Sequence, residues 1–236
     1  MIKFYLTLFF LFLPLMAKTE PFTAGLTALS REHATTAYRA WLKVAENGDA
    51  EGQNNVGFLY ERGLGVSQDY KKAEAWYMMA SSQGLASAKH NLAMLTYKGH
   101  INNKDWRKSV EWLKEADKMD FGPSTYMLGV LYMRGEGIFK DREQALKLFE
   151  KAAKLGEARG QYMVGYIYQS GMLDPEEKAD YRRGYFWSAI ALMNGFEKAR
   201  SIMIKASLRM SDEKETAILE LAEACIASNY KNCEIS

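Results

Sequence analysis

The sequence predicts an all-α fold, a solenoid of four to five helix-pair repeats, and three observations predict it. A step of 36 residues separates Gly57, Ala93, Gly129 and Gly165, and the same step separates Gly63, Gly99, Gly135 and Gly171. Apolar positions keep the interval, with Val56, Leu92, Leu128 and Val164 followed by Leu59, Leu95, Leu131 and Ile167. Within a unit the apolar residues recur at three-and-four spacing, as on one face of a helix. A fixed period of this length belongs to units that bury their apolar faces only by stacking on neighbours.

Residues 1–17 carry Lys3, an apolar core from Phe4 to Phe12, and Leu15, Met16 and Ala17 before a polar continuation. This reads as a secretory leader cleaved after Ala17. A membrane-spanning anchor is the alternative, and it needs about 20 apolar residues. No Cys follows the cleavage point to accept a lipid. The mature chain is therefore expected in the periplasm or outside the cell, with no integral membrane association.

Export changes how the two cysteines are read. Cys225 and Cys233, eight residues apart, are expected to form a disulfide pinning the last turn. Across the chain 31 Lys and Arg balance 29 Asp and Glu. Interspersed signs and near-neutrality argue against a nucleic acid or anionic membrane recognised mainly by charge.

Residues 18–31 are a mixed polar segment with Pro21 and Gly25, read as a lead-in or a frayed first helix. Residues 32–49 read as a half unit, the second helix of an incomplete repeat, because Ala37, Ala40, Trp41, Val44 and Ala45 have helical spacing. Full units then occupy 50–85, 86–121, 122–157 and 158–196.

In each full unit the first helix stops at the glycine of the 63 row, where glycine takes the left-handed conformation that ends a helix. The second begins at an Asp, placed to accept hydrogen bonds from free backbone amides. Asp69, Asp105 and Asp141 are 36 apart, and Asp180 follows after 39 because the fourth unit carries three extra residues in its turn. Trp76, Trp112, Leu148 and Trp187 form a bulky row expected to fill the space beside the small residues. Units two and four have Ile101 and Leu173 where the others have Gly65 and Gly137, which predicts looser turns there. Residues 209–236 read as a capping helix and tail, the next helix starting at Ser211 or Asp212.

The order A-x6-G-x2-Y-x2-G-x-G-V-x2-D-x3-A-x2-W-Y-x2-A-x3-G, written out by Ala50 to Gly84, resembles the Sel1-like repeat, a relative of the tetratricopeptide repeat. The resemblance covers Glu32 to about Lys205. It implies a right-handed α/α superhelix working as a protein-interaction scaffold. By that resemblance, exported bacterial members act as adaptors in envelope assembly and host interaction, and some resemble the immunity proteins that neutralise secreted phospholipase effectors. β-Lactamase activity is ascribed to cysteine-rich members with a Cys pair in each repeat. This sequence has no such recurring pairs.

Catalytic constellations are sparse. His33, His90 and His100 occur singly without motif partners, so no metal site and no cofactor is predicted. Ser211 with Lys214 and Ser228 with Lys231 match a bare serine–lysine spacing, but the accompanying motifs of that hydrolase class are missing. GxSxG, GK[ST] and HExxH are also missing. No catalytic residue is assigned.

What remains is a surface. On an ideal helix Val56, Leu59, Tyr60 and Gly63 share the core side, and Asn54, Phe58, Glu61 and Arg62 fall roughly opposite. Followed by 36, these rows read Asn54, His90, Tyr126, Tyr162 and Phe58, Met94, Val130, Tyr166. Core rows hold their residue type and these rows change. First helices line the concave face of such solenoids, so these residues and Glu61 are the expected contacts for a protein partner. That partner is an envelope protein or a secreted effector enzyme. The other reading of Phe58, Met94 and Tyr166 is packing between adjacent first helices.

Overall fold

The computed structural model describes residues 19–101, 105–172 and 179–235. Residues 1–17, read as a leader, and most of the longer fourth turn, including Leu173 and Pro175, lie outside the described residues. Among those residues there are twelve α-helices and no strand. Two compact units divide the chain, the first ending at Asp105 and the second starting at Trp106.

The first unit contains α1 (Thr19–Ser30), α2 (Ala34–Glu46), α3 (Ala50–Arg62), α4 (Tyr70–Ser82) and α5 (Ala86–Lys98). The second contains α6 (Trp106–Asp117), α7 (Gly122–Arg134), α8 (Arg142–Lys154), α9 (Ala158–Ser170) and α10 (Tyr181–Met193). A 3₁₀ turn (Glu197–Ala199), α11 (Arg200–Ser207) and α12 (Asp212–Ala227) follow.

Local chemistry sets the helix ends. Gly63, Gly99, Gly135 and Gly171 end α3, α5, α7 and α9 with φ of 66°, 75°, 76° and 62°, values a residue with a side chain rarely adopts. The Asp69 carboxylate accepts the amides of Lys71 and Lys72 at 3.0 Å. Asp141 accepts from Gln144 at 2.9 Å, and Asp180 from Arg183 at 3.0 Å. Asp105 immediately precedes α6.

A small residue opposite a second-helix side chain organises the packing of the pairs, and in three of them it is a glycine against a large ring. A Cβ on Gly57 would lie 2.8 Å from the Tyr77 ring, and one on Gly129 would lie 2.7 Å from that of Phe149. A Cβ on Gly165 would collide with Ser188 Oγ. The sealed row on the second helices is therefore Tyr77, Leu113, Phe149 and Ser188, all fully buried. This corrects part of the expected bulky row one position earlier: Leu148 and Trp187 are buried, whereas Trp76 and Trp112 are only half-buried. One residue turns a helix by about 100°, and the hollow above the glycine lies under the later position.

The same device corrects the start of the array. Trp41, 36 residues before Tyr77, is buried. A Cβ on Gly25 would overlap its indole ring. Residues 19–30 are thus a packed first helix rather than a lead-in, and α1–α2 is a whole pair. Gly25 precedes Trp41 by 16 residues, against 20 from Gly57 to Tyr77, so the connecting turn is four residues shorter (20 − 16). Ile101, where a looser turn is expected, is buried.

Neighbouring pairs are joined by a recurring amide. Buried Gln53 donates from Nε2 to the Ala45 carbonyl at 3.2 Å, and its Oε1 accepts from Gln83 Nε2 at 2.9 Å. In the second unit Gln161 repeats this with the Ala153 carbonyl at 3.2 Å and Asn194 Nδ2 at 2.8 Å.

At the C-terminal end α12 packs on α10, Ile218, Ala222 and Cys225 joining Tyr185, Phe186 and Ile190 in one apolar cluster. Ser211 occupies the position before α12 but makes no capping hydrogen bond through its side chain. Cys225 and Cys233 form a disulfide with Cα atoms 4.8 Å apart. Tyr230 lies against Gly156, and its hydroxyl accepts from Asn194 Nδ2 at 2.9 Å.

Candidate functional site

The two changing rows lie on the first helices, and each unit assembles its own part. In the first unit Asn54, Phe58, His90 and Met94 are half-buried. Asn54 Oδ1 accepts from Asn91 Nδ2 at 2.9 Å, linking α3 to α5. Phe58 packs against the cluster of Trp41, Val56 and Leu59, with the Arg62 guanidinium 5.6 Å from its ring centre.

Glu61 does not belong to this surface. Its side chain is buried, accepting from the Tyr77 hydroxyl at 2.9 Å and pairing with Lys98 Nζ at 3.3 Å. The helical wheel treats α3 as an isolated cylinder, whereas α4 and α5 reach its flank and close over position 61. Burial, followed by the Glu61 charge, raises the Tyr77 phenol far above its ordinary range; the hydroxyl stays protonated and donates.

In the second unit Tyr126, Val130 and Tyr162 are half-buried and Tyr166 is exposed. The Tyr126 ring lies 4.7 Å from the Arg159 guanidinium and 5.8 Å from the Phe149 ring. Burial raises the Tyr126 phenol above its ordinary value, with Arg159 opposing. Arg159 is itself held by Glu157 at 2.6 Å. Tyr162 stacks on Tyr166 at 6.5 Å and leans on Phe196 at 5.1 Å. The second unit therefore presents two aromatic groups on its first helices, Tyr126 with the Arg159 cation and the cluster of Tyr162, Tyr166 and Phe196.

Arg159 and Phe196 escaped the row reading. Phe196 takes the position immediately before a first helix, as Leu85 and Phe121 do, but the 39-residue fourth step moves it off the 36-residue grid. Following the chain by unit rather than by fixed interval recovers it. Arg159 has no cationic counterpart in the two preceding units, whose positions hold Ser87 and Pro123.

The serine and histidine candidates have structural surroundings. Ser228 Oγ donates to the Cys225 carbonyl at 2.7 Å and accepts the amides of Lys231 and Asn232, which makes it a turn cap. His100 stacks flat on Tyr70 at 4.1 Å. No group of three or more His, Cys, Asp or Glu side chains among the described residues could hold a metal ion. A polar cavity on the second unit is lined by Glu150, Lys154, Tyr168 and Arg183 beside Trp187 and Cys233. Its hydroxyl is committed, because Tyr168 donates to Glu150 at 2.8 Å under the Arg183 guanidinium.

The Sel1 repeat model matches residues 50–85, 86–116, 122–157 and 158–196. The chain belongs to the Sel1 repeat family. Among solved structures it is similar to a Sel1 repeat protein from Oxalobacter formigenes, at 22% identity and a TM-score of 0.72 over 88% of each chain. It is also similar to c5321, a protective antigen of uropathogenic Escherichia coli displaying an SLR fold (25% identity, TM-score 0.72), covering 90% of this chain and 46% of that one. A third is the immunity protein Pa5087 from Pseudomonas aeruginosa, at 17% identity and a TM-score of 0.54, covering 84% of this chain and 75% of that one. No curated protein matches by sequence. Sel1 repeats typically mediate protein–protein interaction and are generally non-catalytic scaffolds. Among the described residues no helix is long and apolar enough to cross a membrane.

Proposed function

We propose that the chain is a periplasmic, non-catalytic scaffold that binds a partner protein through the first-helix rows. The observation carrying this reading is the division between positions that repeat and positions that do not. Gly57, Gly129 and Gly165 keep one residue type because they lie against second-helix side chains. Tyr162, Tyr166 and Phe196 are not required by the period, yet their rings meet at an accessible surface, and Tyr126 holds the Arg159 cation one repeat earlier. Half-exposed tyrosines supply large contact area at low entropic cost, which is why interface anchors are built from them. The leader and the disulfide support an oxidising compartment outside the cytoplasm.

The test is a pull-down from periplasmic extract with the chain from Lys18 as bait. Tyr162→Ala with Tyr166→Ala is expected to lose the captured partner while the melting temperature changes little. Unchanged capture together with a large drop in melting temperature would show that these rings are core.

A second reading is an immunity protein that neutralises a secreted toxic effector such as a phospholipase, and similarity to the Pseudomonas immunity protein favours it. The captured partner discriminates: an effector enzyme inhibited by the purified chain supports immunity, and an envelope protein supports the adaptor. A β-lactamase-like hydrolase is the remote alternative. Turnover of a chromogenic β-lactam that disappears in Ser211→Ala or Ser228→Ala would establish it.

A further inference from the structure

One structural corner occurs twice. The second glycine of a first-helix turn rests on the start of the preceding second helix, Gly65 on the backbone of Ala34 and Thr35, Gly137 on Trp106. The glycines have nearly equal φ, 71° and 73°, and the corners are two repeat steps apart.

The backbone is shared but the side chains are not. Around Gly65 stand Ala34, Thr35, Ser67, Gln68 and Tyr70; at the same positions around Gly137 stand Trp106, Arg107, Phe139, Lys140 and Arg142. The first corner shows that the fold closes without a cation at these places and without an aromatic where Trp106 and Phe139 stand. In the second, Phe139 is 95% exposed at the tip of the turn and Trp106 is 38% exposed beside it. Ile138, like Val66 in the first corner, is half-buried. Arg107, Lys140 and Arg142 are exposed. Of the nearby acids, Asp141 caps α8, Glu136 pairs with Arg134 at 3.8 Å and Glu143 with Lys147 at 2.7 Å, while exposed Asp105 precedes Trp106.

We propose that this corner of the second unit seats on an anionic lipid surface. Phe139 enters the headgroup region with Trp106 at its edge, and Arg107, Lys140 and Arg142 lie against lipid phosphates. A ring projecting from a turn is a wedge, suited to a soft surface more than to a flat protein face. Aromatic side chains favour the membrane–water interface, and cations within a Debye length of anionic lipid add attraction. Each signal alone is weak and the two together hold a peripheral protein. The near-neutral charge of the whole chain makes this a local, salt-sensitive contact.

The test sediments the chain from Lys18 with vesicles of equal parts phosphatidylglycerol and phosphatidylcholine, and separately with phosphatidylcholine alone. Binding is expected to the first and not to the second. Giving the second corner the residues of the first, Trp106→Ala with Phe139→Ser, is expected to lower the bound fraction at least about fivefold with unchanged helix content. If that variant loses helix, Arg107→Thr with Lys140→Gln serves instead and is expected to remove the preference for anionic vesicles. Absence of vesicle binding, or equal binding by wild type and folded variants, overturns the proposal. A corner-dependent complex with a soluble protein in place of vesicle binding overturns it too, and assigns the corner to a protein partner.

Discussion

The first and second units solve one packing problem differently. Both set a glycine over a second-helix side chain, but in the first that side chain is Tyr77 and in the second it is Phe149. A buried hydroxyl needs a partner, so the first unit buries Glu61, and a buried carboxylate in turn takes Lys98. Phe149 makes no such demand, and the position of Glu61 is occupied there by Met133, two repeat steps on. One oxygen atom thus calls up a buried carboxylate and its cation. The last pair offers a third solution: Ser188 fits under Gly165 and leaves its buried Oγ without a hydrogen-bond partner.

Substitutions at these positions tell the two packing solutions apart. Phe149→Ala should cost about 3–5 kcal/mol, read by urea unfolding, because it empties a sealed hollow. Replacing Cys225 and Cys233 with Ser should cost about 2–3 kcal/mol, and hydrogen exchange should rise in α12 while α3 and α4 stay protected.

Glu61→Met should cost about 1–3 kcal/mol by orphaning the Tyr77 hydroxyl. Adding Tyr77→Phe, which installs the second unit's solution, should recover part of that loss. A double-mutant cycle with no coupling would refute the link between the two residues.

Alkali offers a test without mutation. Burial and the Glu150 hydrogen bond raise the Tyr168 phenol to about 12 from its ordinary 10.0. The fold favours the neutral phenol, so its stabilisation is complete below about pH 10 and is lost as pH rises through about 12. Melting temperature should fall across that window and fall less in Tyr168→Phe. The smallest effect is Ser188→Ala, which removes an unpaired buried polar atom and should raise stability by up to about 1 kcal/mol; a loss would mean that the hydroxyl is satisfied.

Legibility followed the range of the interaction. The glycine helix ends and the Asp caps involve partners within five residues, so spacing alone pointed to them. The Gly25–Trp41 pair was hidden because its turn is four residues short, which removes α1 from the 36-residue grid. Glu61 was misplaced because a helical wheel knows nothing of the helices on either side. The aromatic surface was half-visible: Tyr126, Tyr162 and Tyr166 fell in the rows, while Arg159 beside Tyr126 and Phe196 beside Tyr162 joined it only through three-dimensional contact.

By itself the sequence determined the period, the turn glycines that end the first helices of the four full units and the cysteine spacing, because each is settled by a residue and its near neighbours along the chain. Tertiary structure alone decided which side of each second helix is sealed, why a carboxylate is buried in one unit and a methionine occupies its place in the other, and that Phe139 and Trp106 share a corner. Those outcomes depend on side chains 16 to 37 residues apart, whose meeting is fixed by packing rather than by any local preference.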